Sequence, residues 1–246
     1  MSFERMMSTE PFSDADAWMQ AKGVERHAAF LADTPLFKGV DPDQVAAMLG
    51  CLDARERRYA EGEYIYRMGD AVSSLGVVVE GAVRVETVDA WGSTSVIAYK
   101  DAGKVFAESY AAVPSSPMMM GVVAARDCDI VFLNVMKLHT SCSHACLFHS
   151  LAAGNLLEIL ARNNQALSRH IQHVMPKTLR GKVLAYLSSQ ANAAGSSEFD
   201  IPFNRQQLAD YLGADRSALS SELSKMQKEG ILTTRRSHFV LNDTAL

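Results

Sequence analysis

A chain of 246 residues that is 48% hydrophobic and 21% charged, with a net charge of −4, has the composition of two globular domains and excludes a disordered protein. No apolar run approaches the roughly 18 residues needed to span a bilayer, and the acidic first residues lack the apolar core of a secretory signal, so we expect a cytoplasmic protein with no membrane partner. The four cysteines are too few and too scattered for a disulfide framework, and reduced thiols are expected.

Two helices are predicted first, over residues 14–32 and 41–52. The pattern then changes to short β-rich runs separated by turn signals such as Glu61-Gly62 and Glu80-Gly81. The predicted strands occupy residues 64–66, 75–88, 94–100, 120–125 and 129–134. Several short strands at this spacing indicate a closed or double-sheet β-fold.

A long helix is predicted next, because residues 146–174 contain no proline and a single glycine, Gly154. A heptad-like stripe on so long a helix favours a two-stranded homodimer interface. The residues predicted to form it are Leu156, Leu160, Asn163, Leu167 and Val174. The alternative is that the stripe packs only on the chain's own barrel. Pro176 ends the helix and is expected to let the following segment swing.

The C-terminal part of the chain carries the opposite charge to the rest. Residues 1–175 hold 15 Lys and Arg against 21 Asp and Glu, a net of −6, whereas residues 176–240 hold 9 against 6, a net of +3. An acidic body with a basic end suits a protein that meets phosphate with one end only.

The strongest local pattern lies at residues 204–230 and predicts a helix-turn-helix. Asn204 and Gln207 can form a capping box on a first helix, Gly213 supplies the turn, and Asp215 can cap a second helix. The second helix buries Leu219, Leu223 and Met226 and leaves a polar face, formed by Arg216, Ser217, Ser220, Ser221 and Ser224. Short side chains on this face would let the helix enter a major groove.

Individual DNA contacts can be assigned from this pattern. Arg216 is the candidate for a bidentate contact to guanine, with a phosphate contact as the second choice. Arg205 and Gln206 would contact phosphate at the start of the first helix. The residues after Gly230 predict a β-hairpin wing with Arg235 and Arg236 at its tip. The alternative is a small helical bundle with solvated charges.

The sequence resembles the Crp/Fnr family of regulators over nearly all of residues 34–241. The matching segments are TPLFKGV, YAEGEYIYRMGD, GVVVEGAVRV, AGKVFAES and NRQQLADYL…DRSALSSELSKM. The resemblance implies an α+β chain with an N-terminal double-stranded β-helix (jelly-roll) sensor domain, a long dimerisation helix and a C-terminal winged helix-turn-helix. It further implies a homodimer that binds double-stranded DNA at a palindromic operator and meets RNA polymerase. The expected parts are an N-terminal extension (1–33), an effector domain (34–145), the dimerisation helix (146–175) and the DNA-binding domain (176–246).

The effector segment departs from the family pattern. Cyclic-nucleotide-binding members have Gly-Glu followed by an Arg-Ser or Arg-Thr pair; here Ala107-Glu108 replaces the first pair, and Met118 and Met119 stand at the second by ungapped spacing. A buried phosphate without a cationic partner is unfavourable, so tight binding of cAMP or cGMP is not expected. The pocket for another, unknown small-molecule effector is predicted from Glu108, Met118, Met119, Met120, Asn163 and Asn164. Asn163 has the alternative role of fixing coiled-coil register. Ser221 stands where many relatives have an arginine, so the operator sequence cannot be inferred from those relatives.

Parts of the sequence bear on other classes of function. Cys142, Cys146 and His149 are spaced for one helix face and could serve a haem, metal or thiol redox sensor, with packed thiols and surface histidines as the alternative. No enzyme is expected, because the chain has no phosphate-binding glycine loop, no His-Glu-x-x-His and no Gly-x-Ser-x-Gly, and residues 28–138 hold no histidine for a cupin metal site. A third class is an effector-binding adaptor that does not bind DNA.

Overall fold

The computed structural model describes residues 21–88, 92, 94–113, 116–138 and 147–242. The chain forms two compact units that divide between Ala161 and Arg162. Each unit has its own hydrophobic core. No helix within the described ranges is long and apolar enough to cross a membrane.

The first unit begins with short helices rather than one long one. Helix α1 (Ala21–Val24), a 3₁₀ turn (Glu25–His27) and α2 (Ala28–Ala32) replace the described part of the helix predicted over 14–32, whose first residues lie outside the described ranges. Arg26 donates twice to the buried carboxylate of Glu56, at 2.7 and 2.8 Å, which attaches this segment to the first strand. Helix α3 (Pro42–Cys51) follows a capping box on Asp41, in agreement with the helix predicted there.

Six antiparallel strands form the sheet of the first unit. They are β1 (Arg55–Tyr59), β2 (Tyr64–Tyr66), β3 (Leu75–Val88), β4 (Thr94–Asp101), β5 (Val105–Phe106) and β6 (Gly121–Leu133). The order is β1-β6-β3-β4, with β2 also paired to β6 and β5 also paired to β3. A short helix, α4 (Glu108–Ala111), connects β5 to the segment before β6. The expected jelly-roll architecture within an α+β chain is confirmed.

The two predicted strands at 120–125 and 129–134 are one continuous strand, β6. The polar residues between them resemble a turn in sequence, but Arg126 pairs with Ala82 of β3 and Cys128 with Tyr59 of β1. Pairing on both sides satisfies the backbone, so the strand continues through the polar stretch.

Glycine is required where β3 bends across β6. Gly81 has φ +82°, and a Cβ there would lie 2.2 Å from the carbonyl oxygen of Asp127. Gly76 lies against the ring of Phe106, so a Cβ there would lie 2.1 Å from its Cζ. Both positions allow the strands and the core ring to approach more closely than any side chain permits.

The second unit contains the end of the long helix and a winged helix-turn-helix. Helix α5 runs Leu147–Val174, so the division between the units falls within it. The elements that follow are α6 (Leu179–Ala194), β7 (Glu198–Asp200), α7 (Arg205–Tyr211), α8 (Arg216–Lys228), β8 (Leu232–Arg235) and β9 (His238–Leu241). The three strands form a small sheet in the order β7-β9-β8.

Candidate functional site

The first helix of the motif, α7, begins at a complete capping box. The side chain of Asn204 accepts from the backbone N–H of Gln207 at 3.0 Å, and the backbone N–H of Asn204 donates to Gln207 Oε1 at 2.9 Å. These bonds satisfy two of the backbone donors that a helix start leaves free. Leu208 and Ala209 are buried and fix the side of α7 that faces the core.

A glycine turn and an aspartate cap set the start of α8. Gly213 takes φ +57° at the end of α7. The carboxylate of Asp215 accepts from the backbone N–H groups of Ser217 and Ala218, at 2.7 and 3.0 Å, and from the Ser217 hydroxyl. The hydrogen bond from the Ser217 side chain, followed by the backbone bonds, lowers the pKa of Asp215. The cap therefore stays charged at the positive end of the helix dipole.

Helix α8 presents one polar face and buries the other. Leu219, Leu223 and Met226 are buried in the core of the second unit. All the side chains predicted from sequence for the polar face are exposed, namely Arg216, Ser217, Ser220, Ser221 and Ser224, and Ala218, Lys225, Gln227 and Lys228 of α8 are exposed as well. The face therefore carries short side chains over most of its length, with Arg216 as a long cation at its N-terminal end and Lys228 at its C-terminal end.

Three of these serines use their protons within the chain. The Ser220 hydroxyl donates to the carbonyl of Arg216 and the Ser224 hydroxyl to the carbonyl of Ser220, each at 2.9 Å. The Ser217 hydroxyl donates to Asp215. Because a hydroxyl has one proton and two lone pairs, these side chains offer acceptors to a ligand and suit the amino groups of cytosine or adenine.

Arg205 and Gln206 lie on the first turn of α7 and have partners within the chain. Nη2 of Arg205 donates to the hydroxyl of Thr234 on β8 at 2.8 Å, and its guanidinium lies 5.1 Å from the centre of the Phe239 ring. This partial burial lowers the pKa of Arg205, and the side chain attaches the wing to α7. Gln206 is exposed, and its amide donates to Asp210 at 2.8 Å.

The wing tip carries two exposed arginines. Arg235 ends β8 and pairs with His238 of β9. Arg236 takes φ +56°, a left-handed conformation that favours glycine. A side chain with a Cβ at such a position costs backbone energy.

An ion-pair network that sequence reasoning missed connects α6 to α8. Nε of Arg180 donates to Glu222 at 2.7 Å, and its two terminal nitrogens donate to Glu229 at 2.7 and 2.9 Å. Arg180 lowers the pKa of Glu229 through these hydrogen bonds. The bidentate fork fixes the back of α8. The partners are more than forty residues apart along the chain, and no local spacing signals the contact.

The predicted effector residues fall in both units. Glu108 is buried on α4, next to Ala107, whose φ is +58°. Met118 is buried, Met119 is 72% exposed and Met120 is half-buried. The backbone of Met118 bonds to the loop at residues 69–70. Asn163 and Asn164 are exposed on the part of α5 in the second unit.

Of the predicted sensor cluster, only His149 falls within the described residues; Cys142 and Cys146 lie outside them. His149 is 6% exposed on the first turn of α5. Its Nδ1 is buried and has no hydrogen-bond partner among the residues that the structure describes. Among the described residues, no group of three His, Cys, Asp or Glu side chains could hold a metal ion.

The apolar side chains of α5 do not all face the same way. Leu156 is 6% exposed and lies in the core of the first unit, and Leu160 packs against that core. Asn163 and Leu167 are exposed and Val174 is half-buried. A different row of α5 residues, three, four or seven positions apart, is exposed, and we call it the exposed ridge: Leu147, Leu151, Gly154, Leu157, Ala161, Asn164 and Ile171.

Comparisons with known proteins agree with this architecture. The family described as "Cyclic nucleotide-binding domain" matches residues 56–144, and the family described as "Crp-like helix-turn-helix domain" matches residues 181–246. Electron transport regulator A of Shewanella oneidensis is 20% identical over 195 residues, covering 77% of this chain and 75% of that protein. Transcriptional activator protein FnrA of Stutzerimonas stutzeri is 23% identical over 184 residues, covering 72% of each.

Solved structures show the same fold. The c-di-GMP responsive global regulator CLP of Xanthomonas campestris matches with a TM-score of 0.54 and 17% identity, over 82% of this chain and 99% of that one. A CooA mutant from Carboxydothermus hydrogenoformans matches with a TM-score of 0.52 and 20% identity, over 80% and 86%. The two family matches, the curated relatives and the helix-turn-helix geometry show a Crp/Fnr-type transcription regulator with a DNA-binding helix-turn-helix.

Proposed function

We propose that the chain acts in the cytoplasm as a homodimer that binds a two-fold symmetric DNA operator, with α8 of each protomer in a major groove. The observation that carries this proposal is the exposed face of α8, on which four short serines follow Arg216. A helix with short side chains can approach base edges closely. The N-terminal end of a recognition helix is where base contacts concentrate in this motif.

The contacts divide into those that read bases and those that bind backbone. Arg216 suits a bidentate contact to O6 and N7 of guanine, and the serine oxygens accept from base amino groups. Arg235 and Arg236 on the wing suit phosphate. Gln206 has an exposed amide for the same purpose, and Arg205 has donors beyond the one given to Thr234.

The dimer is proposed to form along the exposed ridge of α5. Leu156 and Leu160 of the predicted stripe pack in or against the core of the first unit. Leu157 is 68% exposed and Ile171 48% exposed, and Leu167 of the predicted stripe is 58% exposed. Gly154 and Ala161 on the ridge are small enough to let two helices approach closely. Once bound to its operator, the dimer is proposed to contact RNA polymerase, as the family relationship implies.

The effector is proposed to be a small molecule or redox signal other than cAMP. The chain has no arginine between residues 85 and 125, and methionines stand at the two positions where cyclic-nucleotide-binding relatives have their phosphate-binding pair. Met118 is buried and supplies no charge for a phosphate. The effector is proposed to bind around Glu108 and Met118–Met120 in the first unit, and a part for Asn163 and Asn164 stays a prediction from the sequence.

Selection of bound sequences from random duplex DNA tests the main proposal. We expect the chain to enrich a palindromic site and to bind it with an affinity that falls steeply as salt rises. Arg216→Ala should weaken binding to that site, while Arg58→Ala, which removes an arginine of 78% side-chain exposure from β1, should leave it unchanged. If no salt-dependent binding is found, the chain is an effector-binding adaptor instead.

A second candidate is a haem, metal or thiol sensor at Cys142, Cys146 and His149. It is favoured by the buried Nδ1 of His149, which has no partner within the described ranges, because such a nitrogen normally has a hydrogen bond or a metal. Metal and haem analysis of anaerobically purified protein, with alkylation of the two cysteines before and after oxidant, tests it. The sensor proposal is rejected if the purified protein retains neither metal nor haem and if oxidant does not change the alkylation rates of the two cysteines.

A further inference from the structure

A cluster of five rings joins the two sides of Pro176 within the second unit. Its members, called here the ring cluster, are His170, His173, Tyr186, Phe203 and Tyr211. Tyr211, at the end of α7, is the central member. The centre of its ring lies 4.4 Å from that of His170, 5.0 Å from Phe203 and 5.3 Å from Tyr186.

Two histidines of α5 also form hydrogen bonds with Tyr211. Nε2 of His170 lies 2.8 Å from the backbone carbonyl of Tyr211, and because a carbonyl only accepts, this nitrogen carries the proton. Nδ1 of His173 lies 2.9 Å from the Tyr211 hydroxyl. Nζ of Lys182 on α6 donates to the next carbonyl, that of Leu212, at 3.0 Å. The carbonyls at the C-terminal end of α7 are therefore satisfied by donors from α5 and α6.

We infer that His173 and Tyr211 are positioning residues for DNA binding, which fix the orientation of the helix-turn-helix relative to the end of α5. The inference rests on the proposed function. Helix α5 ends at Val174 and α6 begins at Leu179, so a short linker that contains Pro176 joins the two helices. The ring cluster bridges this linker and restricts the swing that the proline alone would allow.

Orientation matters because a dimer reads two half-sites at once. The two recognition helices must lie about 34 Å apart, one turn of DNA. A helix-turn-helix that pivots freely at Pro176 loses this spacing and pays the ordering entropy on binding. Binding to non-specific DNA needs no such spacing, so only the specific affinity depends on the ring cluster.

The contact between His173 and Tyr211 lies in a site that favours the neutral histidine. His173 is 4% exposed. Burial, followed by the neighbouring His170 and Arg169, lowers the pKa of His173. The other titratable groups that face it are the hydroxyls of Tyr186 on α6 and Tyr211 on α7. In the neutral tautomer with its proton on Nε2, Nδ1 accepts the Tyr211 proton. A protonated ring is disfavoured in this buried site, so acid weakens the cluster.

The experiment uses the full chain and the duplex that the wild-type chain selects from random DNA. Tyr211→Phe removes the hydroxyl that bonds to His173 and keeps the ring. Tyr186→Phe is the matched control, because its buried hydroxyl has no hydrogen-bond partner in the described part of the chain. Affinities for the selected duplex and for a scrambled duplex are measured by fluorescence anisotropy at pH 7.5 and pH 5.8, with melting temperatures alongside.

We expect Tyr211→Phe to lower affinity for the selected duplex about five- to tenfold, with little change for the scrambled duplex. Tyr186→Phe should stay within about twofold of wild type, because no bond is lost. Wild type should lose specific affinity from pH 7.5 to pH 5.8 more than His173→Phe does. Equal loss in the two tyrosine variants, or a lowered melting temperature in Tyr211→Phe with unchanged specific affinity, would overturn the inference. Failure of the wild-type chain to select any duplex would overturn the proposed function instead.

Discussion

Truncation of Leu157 to alanine should weaken the dimer without unfolding the protomer. The side chain is on the exposed ridge of α5 and is 68% exposed in the single chain. Removing it therefore costs the protomer almost no packing. In the dimer the same side chain would be buried against the partner helix, so the substitution lowers the free energy of association and not that of protomer folding.

The size of the effect follows from the exposed fraction. Full burial of a leucine contributes about 1.5–3 kcal/mol, and about two-thirds of that, ~1–2 kcal/mol, is available on association. A two-fold interface contains the residue twice, so the dimer loses about 2–4 kcal/mol. That corresponds to a dimer Kd raised about 30- to 1000-fold.

Sedimentation equilibrium of the two chains measures this Kd directly, and operator affinity should fall with it. The matched control is the preceding residue, Leu156, which is 6% exposed in the core of the first unit. Leu156→Ala should lower the free energy of unfolding by about 2–5 kcal/mol and leave association little changed in folded protein. If Leu157→Ala dimerises like wild type while Leu156→Ala does not, the assignment of the ridge is refuted.

Four further outcomes are expected. Ala107→Gly should raise the free energy of unfolding by about 1 kcal/mol in denaturant titration, because the native φ is +58° and glycine adopts it without strain; a decrease would contradict this. Gly81→Ala should lower it by about 3 kcal/mol, since the added Cβ would lie 2.2 Å from a backbone carbonyl of β6; a silent variant would contradict the bend described there. Arg216→Ala should lower the binding free energy for the selected operator by about 1–3 kcal/mol and relax selection at one base. Arg236→Ala should weaken binding to all duplexes alike and lower the slope of log affinity against log salt by about one, and the reverse pattern would exchange the roles of the two arginines. The pKa of His173 is lowered from 6.5 in the folded chain, so the stability that this residue contributes is complete above pH 6.5 and is lost as pH falls below that value. Thermal melts over this pH range should show the loss, and His173→Phe should remove that part of the pH dependence.

The helix-turn-helix was predictable from sequence because its determinants are local. The capping box of Asn204 and Gln207 and the cap at Asp215 each span three residues or fewer, and the structure contains all of these bonds. The turn follows from Gly213 itself, and the polar face of α8 follows from helical spacing. The contacts of this face with DNA stay predictions.

Patterns that depend on partners far along the chain were not predictable. The polar residues before Asp129 look like a turn until strands β1 and β3 are placed on either side of β6. Likewise, helical spacing shows that Leu156 and Leu157 are on α5 but does not say which of them faces the chain's own barrel. That choice depends on where α5 packs.

The sequence by itself determined the change from β-rich runs to a long helix and then a helix-turn-helix, the capped starts of α7 and α8, and the resemblance to a family. Only the tertiary structure decided which ridge of α5 remains exposed, how Arg180 fixes α8, and that the ring cluster bridges Pro176. The physical reason is range: caps, turns and periodicity act over a few residues, while Arg180 and Glu229, or His173 and Tyr211, meet across 49 and 38 residues of chain only after the second unit has folded.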